Sequence, residues 1–168
     1  MSEEHRVSEK HCVSDKHCVS DKQYASAGLW AAYRSTLVDV TVRDTVRRIG
    51  QVDRGGDVWD LGVDQAWIMT ACNPRSEPLS EAVNIARHQA LGAELAEAGI
   101  TAVPNVGYDP ADPTWSEPGY TLPGADMATV VDLARRWEQN AVFGWFPDRW
   151  EIVGVLLPGH LVHGWRWR

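Results

Sequence analysis

Ala66-Trp67-Ile68-Met69-Thr70-Ala71-Cys72 runs directly into Asn73-Pro74-Arg75, and Ser80-Glu81-Ala82-Val83-Asn84-Ile85-Ala86-Arg87 follows four residues later. The first seven residues form an apolar run of strand length with no polar alternation. That pattern predicts a central strand buried on both faces. Asn-Pro is a turn dipeptide, and Ser80 is a good helix N-cap. The chain therefore reads as strand, turn, helix, with Asn73, Arg75, Asn84 and Arg87 near the junction. In sheets that carry helices, ligands commonly sit at strand ends of this kind.

Outward from that junction the pattern is regular. Residues 25–34 have helical character, anchored by Leu29, Trp30 and Tyr33. In residues 37–42, Val38, Val40 and Val42 alternate with Asp39 and Thr41, which predicts a half-exposed strand. Residues 45–52 are placed to pair with it, and Asp53-Arg54-Gly55-Gly56-Asp57 is a turn. The helix from Ser80 runs to about residue 98, with Gly99 in the C′ position. Its inward stripe is Asn84, His88, Leu91, Leu95 and Ala98. Residues 100–106 read as a strand and 107–119 as a long loop with three prolines and acidic residues. Residues 120–122 form a short strand. A second helix over 126–139, capped by Asp126, turns Met127, Val130, Ala134 and Trp137 inward. Residues 141–146 and 150–157 close a hairpin around Pro147-Asp148. The resulting order, α-β-β-β-α-β-β-α-β-β, predicts an α+β or three-layer α/β domain. It would hold a mixed β-sheet of five to seven strands, two main helices packed on the sheet and an N-terminal helix.

Composition bounds the function. The 168 residues suit one domain with a substantial core, and a 44% hydrophobic share is that of a globular protein. A net charge of -7 argues against general nucleic-acid binding. No apolar run is long enough to span a bilayer, and no signal peptide is visible, so a cytoplasmic location with no membrane partner is expected. Nine Trp in one small chain point to rings that build the core and pocket walls. The first 24 residues are a hexapeptide repeat, Val-Ser-Glu/Asp-Lys-His-Cys in its fullest form. The repeat holds every Lys of the chain, and everything after it uses only Arg. With so little apolar mass, residues 1–24 are expected to be a disordered tail and 25–168 a single globular domain. The His11-Cys12 and His17-Cys18 pairs match no zinc module, so no metal or cofactor is expected.

Thr70-x-x-Asn73-Pro74-Arg75, Leu79-Ser80-x-x-x-Asn84-x-x-Arg87, Trp115-x-Glu117 and Gln139-x-Ala141 resemble the bacterial family catalogued as domain of unknown function 3293. The likeness extends over about residues 33–156. It implies a set of shared residues and no reaction. Cys72 departs from the aromatic or aliphatic residue the family favours before the Asn.

Each motif has two readings. Asn73, Arg75, Asn84 and Arg87 suit the recognition of an anion or amide, since Arg presents a rigid fork of donors and Asn both a donor and an acceptor. The same residues suit a network tying the turn to the helix. Trp115 and Glu117 suit a carboxyl of raised pKa beside a ring, acting as acid or base, or a loop pinned by a buried Trp. Gln139 lines the same pocket or satisfies carbonyls at the helix end. His160 and His163 would share a helical face, and Trp165-Arg166-Trp167-Arg168 reads as a partner-binding tail or as a last strand. Two functions follow. One is binding of, and action on, a small polar or anionic metabolite or nucleotide, with Glu117 catalytic and Asn73, Arg75, Asn84, Arg87, Trp115 and Gln139 holding the ligand. The alternative is a non-catalytic protein-interaction module that uses Trp-rich surface and the C-terminal Trp-Arg residues.

Overall fold

The computed structural model describes residues 27–168, so the predicted tail at 1–24 lies outside the described residues. Helix α1 spans 27–35. It is followed by β1 (Leu37–Val42), β2 (Thr45–Val52), β3 (Ala66–Met69), a 3-10 turn (Pro74–Ser76) and α2 (Glu81–Glu97). Then come β4 (Val103–Asp109), β5 (Asp112–Pro123), α3 (Met127–Arg136), β6 (Ala141–Trp145), β7 (Trp150–Gly154) and β8 (His160–Trp167). The strands close into a barrel in the order β1-β2-β8-β7-β6-β3-β5-β4, with β4 returning to β1.

The predicted α+β mixed sheet is therefore wrong. Every pair is antiparallel, and the sheet has no edge. The order of helices and strands was close, but order alone does not say whether the outer strands meet. One local misreading and an element order that lacked the last strand hid the closure. Residues 107–119 form no long loop: β4 runs to Asp109 and β5 starts at Asp112, joined by a tight turn with a register shift between Tyr108 and Asp109. The prolines suggested a loop because Pro donates no ladder hydrogen bond, yet Pro118 holds a register position opposite Val106. Residues 160–167 supply the eighth strand, which pairs with both β7 and β2.

Alternation sets the inside and outside of the barrel. Val38, Val40 and Val42 of β1 point inward, as their period of two predicts, and join Ile49, Ala66, Ile68, Trp145, Trp150, Ile152 and Trp165 in one buried cluster. The other faces of the same strands build a second cluster. There Trp67, Met69, Leu122 and Val142 meet Leu91 and Leu95 of α2 and Val130, Leu133 and Ala134 of α3. Strand β3 is thus buried on both faces. Ser80 and Asp126 cap their helices through Val83 N and Thr129 N. Met127, assigned to the inward stripe, is half exposed at the first position of α3, whose buried residues are Val130, Leu133 and Ala134. No helix among the described residues is long and apolar enough to cross a membrane.

An eight-stranded barrel is only just wide enough for side chains to fill it. Here indoles fill one end. Trp145 meets Trp59, Trp165 and Trp167 edge-on, with ring centroids 5.1, 5.3 and 5.4 Å apart. Edge-to-face contact is the favoured aromatic geometry. Trp165 donates its indole N–H to the Phe146 carbonyl at 2.7 Å, so its polar atom is satisfied inside the wall. Arg47 lies 3.6 Å over the Trp167 ring and closes this end. The C-terminal Trp-Arg residues are thus part of a strand. Replacing Trp165 with Ala would leave a large cavity and an unpaired carbonyl, and should cost about 3–5 kcal/mol in urea unfolding. A loss under about 1 kcal/mol would show that this end of the barrel is not packed as described.

Candidate functional site

At the opposite end the filling stops. Thr36 and Val38 at the start of β1, Asn105, Gly107 and Asp109 of β4, and Glu117 and Gly119 of β5 surround a cavity of about 480 Å³. Ile68 to Thr70, Asn73, Ser76, Gln139, Ala141 and Phe143 complete the wall, and Leu29, Ala32 and Tyr33 of α1 lie across it. Gly107 leaves open space, since a Cβ there would meet nothing closer than Thr36 Cγ2 at 3.8 Å, whereas Gly119 lets the Met69 carbonyl and the Asn105 side chain approach the β5 backbone.

The wall owes its chemistry to one irregular segment. Strand β3 ends at Met69, and the chain then turns over the barrel mouth. Asn73 adopts the left-handed conformation (φ 45°), and so do Arg75 (φ 58°) and Ser76 (φ 61°). Three such residues within four positions are costly for side chains with a Cβ, and they persist only where the surroundings hold them. The Asn73 side chain supplies much of that hold. Its Oδ1 accepts from Leu79 N at 2.9 Å and from Asn84 Nδ2 at 2.8 Å. Its own backbone N–H donates to Asn84 Oδ1 at 3.0 Å. Its Nδ2 donates to Glu117 Oε1. Asn73 thus links the turn, the start of α2 and β5.

Glu117 is largely buried in the β5 wall, opposite Gly107. Burial pushes its carboxyl above the ordinary range, and the Asn73 hydrogen bond offsets part of that rise. No cation pairs with it among the described residues. Beside it, burial also raises the Tyr33 phenol, whose hydroxyl lies 3.0 Å from Ser76 Oγ. Asn140 Nδ2 donates to the same Ser76 oxygen at 2.9 Å. Burial raises the Cys72 thiol too, which leaves it a poor nucleophile.

The sequence-derived site residues divide into two groups. Asn73, Asn84, Trp115, Glu117 and Gln139 come together on the cavity wall. Arg75 and Arg87 do not. Arg75 turns outward and pairs with Glu138, Nε to Oε1 at 3.0 Å, on an exposed surface. Arg87 lies behind the wall. Its Nε donates to the Ala71 carbonyl at 2.6 Å, one terminal nitrogen donates to the Trp137 carbonyl at 3.0 Å, and its guanidinium stacks near the Trp137 ring. It braces the strand-to-helix crossing. Gln139 does both things foreseen for it, lining the cavity while its Nε2 donates to the Cys72 and Trp137 carbonyls.

Sequence reading missed Tyr33, Thr36, Asn105 and Phe143. Asn105 carried a signal, being a polar residue at an inward position of a strand; it is 5% exposed and donates to Thr121 Oγ1 at 2.9 Å. Tyr33 carried none, since an aromatic in a helix reads as core. His160 and His163 lie on a strand, where a spacing of three puts side chains on opposite faces. His160 faces Glu151 at 3.0 Å. Among the described residues, no three His, Cys, Asp or Glu are grouped to hold a metal ion.

The fold and site thus define a closed antiparallel β-barrel whose open end carries a largely buried carboxyl. Residues 69–142 match the family described as Protein of unknown function (DUF3293), so the resemblance carried by the four motifs holds over that stretch. The matched stretch is under half of the chain, and it contains Asn73, Asn84, Trp115, Glu117 and Gln139. No curated protein and no solved structure matches the chain.

Two expectations follow from this geometry. A carboxyl raised in the folded state binds its proton more tightly there than in the unfolded chain, so its contribution favours the fold at low pH and is lost as pH rises through the raised value. Glu117→Gln, which keeps an acceptor for Asn73, should therefore remove that downward slope and leave the protein at least as stable at neutral pH. Carboxyl NMR titration and urea unfolding across pH would check it; a Glu117 titrating at or below the ordinary glutamate range would contradict it. Arg75→Ala should cost no more than about 1 kcal/mol, because an exposed ion pair contributes little. A larger loss in thermal unfolding would give Arg75 an architectural weight that its exposure does not suggest.

Proposed function

We propose that this protein binds a small polar molecule in the open end of its barrel, against Glu117, which is placed to exchange a proton with it. The observation that carries the reading is the contrast within one barrel. Indoles occupy one end, while the other holds a cavity of about 480 Å³ with a largely buried, raised carboxyl in its wall. Pockets for small ligands fall in this size range, mostly apolar with a few convergent polar groups. Carboxyls with raised values are suited to acid–base work near neutral pH. Aromatic walls from Tyr33, Phe143 and Trp115 would bury the apolar part of such a molecule.

The protein-interaction alternative drew on Trp-rich surface. None of the nine Trp is in the exposed class, and Trp165 and Trp167 are built into β8. The position of the rings therefore weighs toward the cavity.

Gly107 offers the cleanest test. A Cβ there would meet Thr36 Cγ2 at 3.8 Å and the Glu117 carbonyl at 3.9 Å, which is ordinary contact. Gly107→Leu should therefore fill the cavity and keep the fold. Small polar compounds that raise the melting temperature of the wild-type protein in a library screen should fail to do so with Gly107→Leu. Hits that stabilise both proteins equally would place binding elsewhere and refute the cavity reading.

A further inference from the structure

We propose that the ligand of this cavity is a cation, an alkylammonium or amidinium group on a small apolar body, and that Glu117 is its counter-ion. This deepens the small-molecule reading of the same cavity and rests on it. Three observations favour a positive ligand.

The first is charge. The wall contains the carboxyls of Asp109, Asp112 and Glu117, and no Arg, Lys or His among the described residues. The two arginines that an anion would need are committed elsewhere, Arg75 to Glu138 and Arg87 to backbone carbonyls. Asp109 and Asp112 are turned partly to their own hairpin, accepting from Ala111 N and Thr114 N. Glu117 has only Asn73 as a donor, at one of its two oxygens. A largely buried carboxylate without a cation is costly, and an incoming ammonium would relieve it.

The second is the direction of the amides. Backbone groups fix which end of each one faces the cavity. Leu79 N must be met by an oxygen, so Asn73 turns its Nδ2 to Glu117. Asn73 N likewise fixes Asn84 Oδ1, and Asn84 Nδ2 is then spent on Asn73 Oδ1 and the Leu79 carbonyl. Gln139 is 7% exposed and gives Nε2 to two carbonyls, while its Oε1 has no hydrogen-bond partner among the described residues. The amides have thus largely spent their donors within the protein, and acceptors remain: Glu117 Oε2 and Gln139 Oε1. A complementary ligand brings N–H groups.

The third is the walls. Tyr33, Phe143 and Trp115 present aromatic rings to the same space. Ring faces attract cations, more strongly where water is excluded.

Three probes that share a benzyl or phenyl body and differ in charge would test this on the full chain: benzylamine, benzyl alcohol and benzoate. At millimolar concentration, benzylamine should shift the backbone amide signals of Gly107 and Gly119 in NMR spectra. Benzyl alcohol should do so weakly and benzoate not at all. Glu117→Gln, whose fold the same spectra would verify, should weaken benzylamine binding by about tenfold or more, the size expected when a partly buried ion pair loses one charge. Benzoate or benzyl alcohol binding as well as benzylamine would overturn the charge assignment and leave the cavity reading standing. Benzylamine binding unchanged by Glu117→Gln would overturn the counter-ion role. No response to benzylamine, where the library screen finds neutral or anionic compounds that Gly107→Leu excludes, would overturn the inference alone. Compounds that bind regardless of Gly107→Leu would remove the cavity reading on which it rests.

Discussion

The pairing of β1 with β4 is the constraint on which the rest depends. Four register pairs, Leu37 with Tyr108 through Val40 with Asn105, join the first strand to a strand more than sixty residues away and turn a curved sheet into a closed wall. Once closed, every strand has two neighbours and no edge needs cover. The interior becomes a space of nearly fixed width, and side chains must fill it or leave a hole. The same ladder carries Gly107 and Asn105 into the mouth, opposite Val38 and Val40, so the step that completes the barrel also shapes the cavity.

Helices α2 and α3 have a narrower task. They cover only the outer face of β3, β5 and β6, where Trp67, Met69, Leu122 and Val142 would otherwise meet water. That cover explains why β3 can be apolar on both faces while β1 and β2 keep polar outer faces, as with Asp39 and Arg48, which pair across the ladder. It also explains the crossing at residues 70–80. The chain must leave the wall at Met69, pass over the mouth and enter α2 on the outside. Asn73 makes that passage possible, since its side chain replaces the backbone partners the turn would otherwise lack. A residue needed to build the corner is thereby fixed against Glu117, and architecture and candidate chemistry meet in one side chain.

Legibility differed between the parts. The period of two in β1, the capped helix from Ser80 and the doubly apolar β3 were readable because local spacing determines which face a residue takes. The β4–β5 hairpin was hidden because Pro and acidic residues normally mark loops, and a barrel wall tolerates them where a neighbour's ladder does not need the missing N–H. The site was half readable. Asn73 and Gln139 stood out as polar residues at element ends, Asn84 as a polar residue on the inward stripe of its helix, and Glu117 through the Trp115-x-Glu117 motif of the family resemblance. Arg75 and Arg87 stood out with them, yet their directions depend on Glu138 and on the Ala71 and Trp137 carbonyls, partners that no spacing reveals.

From the residues alone came the strands, the helices, their caps and a short set of polar positions around residues 70–87 and 115–117, because propensity and periodicity act over a few neighbours. Tertiary structure alone decided that the strands close on themselves, that Trp side chains plug one end, and that Glu117 faces a hollow whose wall holds no cation among the described residues. Those outcomes depend on which distant segments share a wall, and the free energy of closing that wall belongs to no single stretch of the chain.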